Sequence, residues 1–255
     1  MDIKDYFVEV QRGNIAGQVV VNKFGRNESV PNGSWVLVSP SAPSGAFPVS
    51  GVSVRIKSGG DAADTAAGAG AREITVIGID TNFEESTEIM ITSGVNASAY
   101  TTTSFWRVYR AYVSSVGTYG GNNVADITIE NGLDALVIMA GEGQTQHGAF
   151  TVPIGKVGYL LTVDIDADAG KAADFRLFIR ENFNVITAPM PASRVRLHWD
   201  GVIGHVNYRP RSPSIVIPQC SDIWIEAEGD GANTDVSVDF EILLIDDPEG
   251  PIQQI

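Results

Sequence analysis

Residues 236–244, VSVDFEILL, alternate apolar and polar side chains at nearly every step. Successive side chains of a β-strand point to opposite faces of the sheet, so this alternation predicts a long strand with one buried face. The residues on that face are Val236, Val238, Phe240, Ile242 and Leu244. The polar residues between them are expected to face water.

The same period of two recurs upstream of this strand. Three further sets of apolar residues are predicted to share a face. They are Tyr159, Leu161, Val163 and Ile165; Phe175, Leu177 and Ile179; and Val195, Leu197 and Trp199. The predicted strands are spaced roughly 8–12 residues apart, and no helix between them is long enough to cross over a sheet, so the pattern favours antiparallel sandwiches over a parallel sheet.

The fold predicted from these patterns is all-β, with two antiparallel β-sandwich domains. We expect the first domain at residues 31–145 and the second, which is jelly-roll-like, at residues 146–255. The join is placed near residue 145 because residues 139–148, MAGEGQTQHG, are small, polar and rich in glycine.

Two other segments have weaker patterns. The apolar residues of the segment 1–30 recur with no steady period, so the segment is predicted to be an N-terminal arm or docking segment. A terminal strand fits it equally well. Residues 58–70, SGGDAADTAAGAG, hold no large side chain. Since such a segment has little to bury, it is predicted to be an exposed loop.

Composition limits the classes of partner. The chain has 44% hydrophobic and 19% charged residues, which is typical of a globular protein. Its 31 acidic residues exceed its 17 basic ones, for a net charge of −14. Phosphate backbones and anionic lipid surfaces repel such a protein, so neither nucleic acid nor a membrane is an expected partner. The first residues, MDIKDYFVEV, lack the features of a signal peptide, so we expect a soluble protein made in a cytoplasm.

The acidic residues Asp164, Asp166 and Asp168 have the spacing of ligands in a calcium loop. However, Ala169 stands where an EF-hand needs glycine, and Phe175 stands where the bidentate glutamate belongs. Simple strand alternation explains the same spacing. We therefore predict a solvated strand end and no metal site.

No residue stands in a recognisable catalytic motif. Cys220 is the single cysteine, so it has no disulfide partner within the chain and is expected to be a small buried residue. The three histidines are His147, His198 and His205, and none of them belongs to a recognisable metal-binding motif or catalytic-triad motif. We expect a protein with no catalytic residues, no metal and no cofactor.

A group of arginines is the one feature of the sequence that stands out from its generally acidic composition. Residues 176–211 contain six arginines and two acids, Glu181 and Asp200, in an otherwise acidic chain. The six are Arg176, Arg180, Arg194, Arg196, Arg209 and Arg211. Two hypotheses remain open. One is pairing within the domain to Asp164, Asp166, Asp239 or Glu241; the other is a docking surface for an acidic partner, including another copy of this chain.

Several segments, in their shared order, resemble a family of virion-associated proteins of tailed phages, especially marine ones. Near the start they are Val21–Asn27 and residues 61–80, DAADTAAGAGAREITVIGID. Thr101–Thr103, Arg107–Ala111 and Gly141–Thr145 follow, then Thr151–Lys156 and Phe240–Asp246. The resemblance covers most of the chain and implies a β-rich structural role in a virion without a known active site.

The resemblance implies a capsid decoration or cement subunit on the outer surface of the shell. Its expected partners are the major capsid protein or other virion proteins and further copies of itself, as a homo-oligomer and most simply a trimer. The alternative is a neck or tail component, such as an adaptor, fibre or hub. A carbohydrate-binding receptor module is a more distant alternative, which would need Trp199 or Trp224 as an exposed aromatic.

Overall fold

The computed structural model of the chain describes residues 5–40, 48, 50–118, 121–210 and 214–247. Within them it has one short helix and sixteen strands, which confirms the prediction of an all-β protein. The elements are α1 (Tyr6–Gln11), β1 (Gln18–Val30), β2 (Val36–Leu37), β3 (Arg55–Ile56), β4 (Ala71–Asp80), β5 (Glu85–Ile91), β6 (Phe105–Val116), β7 (Ile127–Glu130), β8 (Asp134–Ile138), β9 (Ala149–Val152), β10 (Lys156–Ala167), β11 (Ala173–Arg180), β12 (Arg194–Val202), β13 (Gly204–Tyr208), β14 (Val216–Ile217), β15 (Ser221–Gly229) and β16 (Thr234–Asp246). In the part of the chain so described, no helix has the length and apolar character needed to cross a membrane.

The chain forms two compact units. Unit 1 consists of Met1–Phe24, Glu28–Val36 and Gly148–Ile255, whereas unit 2 consists of Gly25–Asn27 and Leu37–His147. Unit 1 is therefore assembled from both ends of the sequence. In the sequence, unit 2 is the segment Leu37–His147 together with Gly25–Asn27 of β1.

Two five-stranded sheets contain the strands of unit 1. The first sheet runs β1-β16-β10-β13, with β14 also paired to β10, and the second runs β12-β11-β15-β2, with β9 also paired to β15. If the eight longer strands, without the two-residue β2 and β14, are numbered one to eight along the chain, the sheets become 1-8-3-6 and 5-4-7-2. First pairs with last, second with seventh, third with sixth and fourth with fifth, so the pairs are nested like those of one long folded hairpin.

The N-terminal segment contains both a helix and a strand. Asp5 caps α1, because its side chain accepts a hydrogen bond from the Val8 amide at 3.2 Å. The following strand, β1, lies at the edge of the first sheet beside β16. The described part of residues 1–30 thus joins a short helix to the terminal strand that was one of the alternatives.

The final strand has the predicted burial, but β10 departs from it. In β16, Val236, Val238, Phe240 and Ile242 are all buried. In β10, Leu160 pairs with Ile242 and Thr162 with Glu241, so Leu161 is an extra residue in a β-bulge. The prediction that Tyr159 and Leu161 share the buried face was therefore wrong. Upstream of the bulge, Leu160 occupies that face instead.

Unit 2 packs two three-stranded sheets, β5-β4-β6 and β3-β7-β8, around one core. The cluster draws on both sheets, since it includes Ile74 and Phe105 from the first and Ile129 and Leu136 from the second. These four side chains are almost completely buried. Antiparallel pairing joins every neighbouring pair of these strands.

The loop at residues 58–70, predicted to be exposed because it has no large side chain, is anchored by the buried carboxylate of Asp64. Oδ1 of Asp64 accepts hydrogen bonds from the amides of Ala71 at 2.8 Å and Val124 at 3.0 Å. Oδ2 accepts from Val124 at 2.9 Å and Ala125 at 3.1 Å. Gly70 permits this approach, because a Cβ there would lie 2.2 Å from Asp64 Oδ1. Asp64 therefore fastens the loop to β4 and to the segment before β7.

The glycine-rich segment predicted as the domain join is an ordered turn of unit 2. The Asn123 side chain donates to the carbonyl oxygens of Ala125 at 2.9 Å and Met139 at 2.8 Å, and accepts from the Gly143 amide at 3.0 Å. Thr145 then exchanges hydrogen bonds with Ala111 of β6. The part of this segment from Met139 to His147 belongs to unit 2, and Gly148 belongs to unit 1.

The bulge in β10 predicts opposite outcomes for two adjacent leucines. Leu160→Ala should lower the free energy of unfolding by about 2–5 kcal/mol, because it leaves a cavity in a closed core. Leu161→Ala should lower it by about 1 kcal/mol, because Leu161 is only half-buried. Urea denaturation of the two variants would measure the difference, and an equal loss in both would contradict the register given for β10.

The anchoring of the loop predicts that Asp64→Asn destabilises the protein by about 2 kcal/mol. An amide has one acceptor oxygen, so its NH₂ group would face backbone N–H donors. Asp61→Asn is the matched control, because Asp61 accepts one hydrogen bond, from the Ala63 amide at 2.7 Å, and an amide oxygen can still accept it. Thermal unfolding of both variants would test this, and similar melting temperatures would contradict it.

Candidate functional site

The candidate site is an arginine-bearing face of unit 1, formed by β11 and β12. In β11, Ala173, Phe175, Leu177 and Ile179 are buried, and the residues between them are half-buried on the opposite face. This alternation puts Arg176 and Arg180 on the outer face of the sheet, as predicted. We call the group formed by Arg176 and Arg180 of β11 and by Arg194 and Arg196 of β12 the arginine surface.

Arg180 forms the most buried ion pair of this surface. Its Nη2 atom lies 2.5 Å from Oδ2 of Asp222, a carboxylate whose side chain is 0% exposed. Oδ1 of Asp222 accepts a hydrogen bond from the Thr151 hydroxyl at 2.8 Å. Both partners stand directly opposite Asp222 on neighbouring strands. Burying a carboxylate is costly without a partner, so Arg180 serves the fold of unit 1.

Arg176 is enclosed by aromatic rings. Its guanidinium lies 3.6 Å from the centre of the Trp35 ring and 5.2 Å from that of Phe178. Nη2 donates to Glu226 at 3.0 Å across the ladder. Stacking of a weakly hydrated guanidinium on aromatic faces is favourable, so these contacts fix Arg176 in place.

Arg194 and Arg196 are the exposed members of the arginine surface. Their side chains are 67% and 36% exposed. Both approach one carboxylate, that of Glu181, with nitrogen–oxygen distances of 3.9 Å and 3.0 Å. Two positive charges share one negative charge here, so this end of the surface stays positive.

A second β-bulge alters the faces of β12. Leu197 pairs with Leu177, but Val195 pairs with Phe178, which leaves Arg196 as the extra residue. The prediction that Val195 faces inward with Leu197 and Trp199 was therefore wrong. Val195 joins the outer face with Phe178 and is exposed. By the same register Arg194 stands opposite Ile179, so it does not share the outer face with Arg176 and Arg180.

Arg209 does not lie on this surface. It follows β13, which belongs to the other sheet of unit 1, and is exposed. Arg211 lies outside the described residues. Among the described members of the sequence group, Arg176 and Arg180 share the outer face of β11, and Arg194 and Arg196 lie close to them on β12.

The arginines pair within unit 1, but with other carboxylates than those proposed from the sequence. Their partners are Glu181, Asp222 and Glu226 rather than Asp164, Asp166, Asp239 or Glu241. Sequence reasoning also missed Trp35, because it stands in a short non-periodic segment. Which strands are neighbours decides these pairs, and alternation within one strand carries no information about that.

The acidic residues of β10 lie on the outer face of the first sheet. His205 contacts Asp164 at 3.3 Å and Asp166 at 3.2 Å, and Asn22 donates to Asp239 at 2.8 Å. Burial raises the pKa of Asp239; the Asn22 hydrogen bond opposes that rise, and the charge of Asp164 adds to it. Over the described ranges, no group of three or more His, Cys, Asp or Glu side chains is suited to hold a metal ion.

Two reactive side-chain types are buried in structural contacts. His147 Nδ1 lies 3.3 Å from the Ser39 hydroxyl, and both residues are buried. A serine nucleophile must reach its substrate, so this hydrogen bond is a packing contact. Cys220 is also buried, as predicted, and burial followed by the nearby Asp222 charge raises the pKa of its thiol to about 11.

The aromatic residues named for a carbohydrate-binding module are engaged within unit 1. Trp224 is 6% exposed, and its ring stacks on Phe178 with centres 5.1 Å apart. It therefore cannot be the exposed aromatic that this alternative requires. Trp199 is half-buried, with its ring edge-on to Tyr208 at 6.0 Å.

Comparisons with known proteins add weak likenesses. No protein-family model matches this sequence, and no curated protein matches it either. The structure of infectious bursal disease virus Gx strain has a TM-score of 0.27 and 9% identity, over 92% of this chain and 74% of that one. T=1 particles derived from infectious bursal virus have a TM-score of 0.22 and 9% identity, over 92% and 75%. The Gt strain of infectious bursal disease virus has a TM-score of 0.21 and 9% identity, over 96% and 83%. Likenesses at these scores carry no argument about fold or function.

The geometry of the arginine surface predicts a sharp contrast between two arginines. Arg180→Ala should destabilise the protein by about 3–5 kcal/mol, because it removes the charged partner of a buried carboxylate. Arg194→Ala should change stability by about 0.5 kcal/mol or less, because its pair is long and exposed. Denaturant titration would compare them, and a small effect of Arg180→Ala would contradict a structural role for that pair.

Proposed function

We propose that this chain is a non-catalytic structural component of a tailed-phage virion, a decoration or cement subunit on the outer surface of the capsid. The observation that carries the proposal is the nested strand order of unit 1, which fits a jelly roll, a fold used by viral capsid domains as well as lectins and cupins. One fold hosts several functions, so our choice of a virion role rests on the sequence segments that resemble virion proteins.

The use of buried charge supports a structural role. Asp64 holds a loop of unit 2 through backbone amides, and Asp222 joins Arg180 to Thr151 in unit 1. Arg55 similarly pairs with the nearly buried Glu130 at 2.9 Å, on neighbouring strands. In each case a buried or partly buried charged side chain holds neighbouring strands or a loop together. This is the expected use of such groups in a subunit whose task is mechanical.

Exposed apolar side chains support association with other subunits. Tyr6, Phe7 and Val8 are consecutive on α1, and each is more than 40% exposed. The Tyr6 and Phe7 rings contact each other edge-on at 5.2 Å. Adjacent large apolar side chains on a surface are typical of a binding site, because covering them releases ordered water. The helix therefore fits the docking role predicted for the N-terminal segment.

Charge favours the outer face of the shell. A net charge of −14 would place the chain in repulsion with packaged DNA if it lined the interior. Capsid lattices contain local threefold axes, and closed symmetric oligomers are the general rule, so we propose a trimer. The proposed partners are the major capsid protein or other virion proteins, together with two further copies of this chain.

Reconstruction of the virion would test the proposal. We expect density for the jelly roll of unit 1 on the outside of the capsid at repeated lattice positions, with hundreds of copies per particle. Quantitative mass spectrometry of purified particles would give the copy number independently. Density confined to the tail vertex, with about six or twelve copies, would reject decoration in favour of a neck or tail component.

A further inference from the structure

Unit 2 has an acidic sheet edge. In the order β5-β4-β6, β5 pairs with β4 on one side, and among the described residues it has no strand on its other side. Residues 84–91, EESTEIMI, contain three glutamates and no basic residue. Ile89 and Ile91 on this strand are 56% and 50% exposed. We call β5 together with Glu84 the acidic edge.

Two glutamates of the acidic edge accept hydrogen bonds within unit 2. The Tyr109 hydroxyl donates a hydrogen bond to Glu85, and burial raises the pKa of Tyr109, so the phenol keeps its proton. The backbone amides of Thr102 and Thr103 donate to Glu88, each at 2.8 Å. Partial burial opposes ionisation of Glu88, but these hydrogen bonds outweigh it and lower its pKa. The acidic edge therefore holds its carboxylates without any basic residue of its own strand.

Unit 1 has a basic sheet edge. β12 is the terminal strand of the order β12-β11-β15, and no described strand lies on its outer side. Residues 194–198, RVRLH, contain no acid, and Arg194, Val195 and Arg196 are exposed. Arg194 and Arg196 share one carboxylate, that of Glu181. We call residues 194–198 of β12 the basic edge.

Exposed strand edges present unpaired backbone groups and are templates for pairing with another chain. Natural sheets block such edges with charged side chains, proline or bulges, and the basic edge contains the bulge at Arg196. A partner strand of opposite charge neutralises the charges that otherwise keep an edge unpaired. The charges of the two edges have opposite sign, and both edges also expose apolar side chains beside them.

We propose that the acidic edge of one copy of this chain pairs with the basic edge of a second copy, so that the two sheets join through a shared strand ladder. This inference rests on the self-association in the proposed function and identifies its surfaces. Pairing would set Arg194 and Arg196 near the glutamates of β5 and cover Ile89 and Val195. Like-charged alternatives, β5 with β5 or β12 with β12, are opposed by repulsion.

The two edges belong to different surfaces of the chain, so the contact is head-to-tail. A head-to-tail contact closes into a ring when its rotation permits and otherwise propagates as a filament. A ring of three copies would give the trimer proposed above without a twofold contact. Each copy would then use both of its edges.

Two variants with one disabled edge each would test the pairing. Variant A carries Arg194→Glu and Arg196→Glu, which reverse the basic edge. Variant B carries Thr87→Lys and Ile89→Lys at exposed positions of β5, leaving the internal bonds of Glu85 and Glu88 intact. Multi-angle light scattering should show an oligomer for the wild type and one chain for each variant alone. An equimolar mixture should form a one-to-one dimer, because A retains its acidic edge and B its basic edge.

A third variant, with Val19→Lys and Ile203→Lys, makes the same charge change as B at exposed positions off both edges and should keep the wild-type mass. Circular dichroism and thermal melts of all variants would establish that they are folded. A monomeric wild type, unaltered oligomers in A or B, or a mixture that stays monomeric would each overturn the pairing. None of these results bears on copy number in the particle, which tests the virion role separately.

Discussion

Pairing between the two ends of the chain holds unit 1 together, since β1 lies beside β16 and β16 beside β10 in one sheet. The ladder between β10 and β16 runs from Lys156 opposite Asp246 to Ala167 opposite Val236. Its buried face carries the largest apolar side chains of the final strand, so this ladder places both the core and the outer acidic face. The remaining strands then pair in the same nested order, second with seventh, third with sixth and fourth with fifth.

Strand alternation in the sequence predicts the class of fold and much of the core, because burial of one face demands a period of two. It does not predict the bulge at Leu161 in β10 or the bulge at Arg196 in β12. Around Leu160 and Leu161, two adjacent leucines fit either face equally well, and the choice depends on the partner strand. The same limit applies to the arginines: their faces in β11 follow from alternation, but Glu226 and Asp222 become partners only through the strand order. The Asp64 anchor was missed because its partners are backbone amides, which no side-chain pattern reports.

The electrostatics of the chain separate into internal and external parts. Arg180 and Arg176 are held by a buried carboxylate and by aromatic rings, so they contribute to the fold of unit 1. Arg194 and Arg196 share Glu181 and remain open to water. This small positive surface on an acidic protein is the electrostatic basis of the pairing proposed above. Of the six arginines in the docking hypothesis drawn from the sequence, we therefore retain Arg194 and Arg196 on the edge strand β12.

The division of unit 1 between distant parts of the sequence has a consequence for how the chain is made. Unit 2 ends in sequence at His147, whereas β1 lies beside β16, which is Thr234–Asp246. During translation β1 therefore lacks its neighbouring strand while unit 2 is synthesised. The first sheet of unit 1 can form only after the whole sequence of unit 2 has been made.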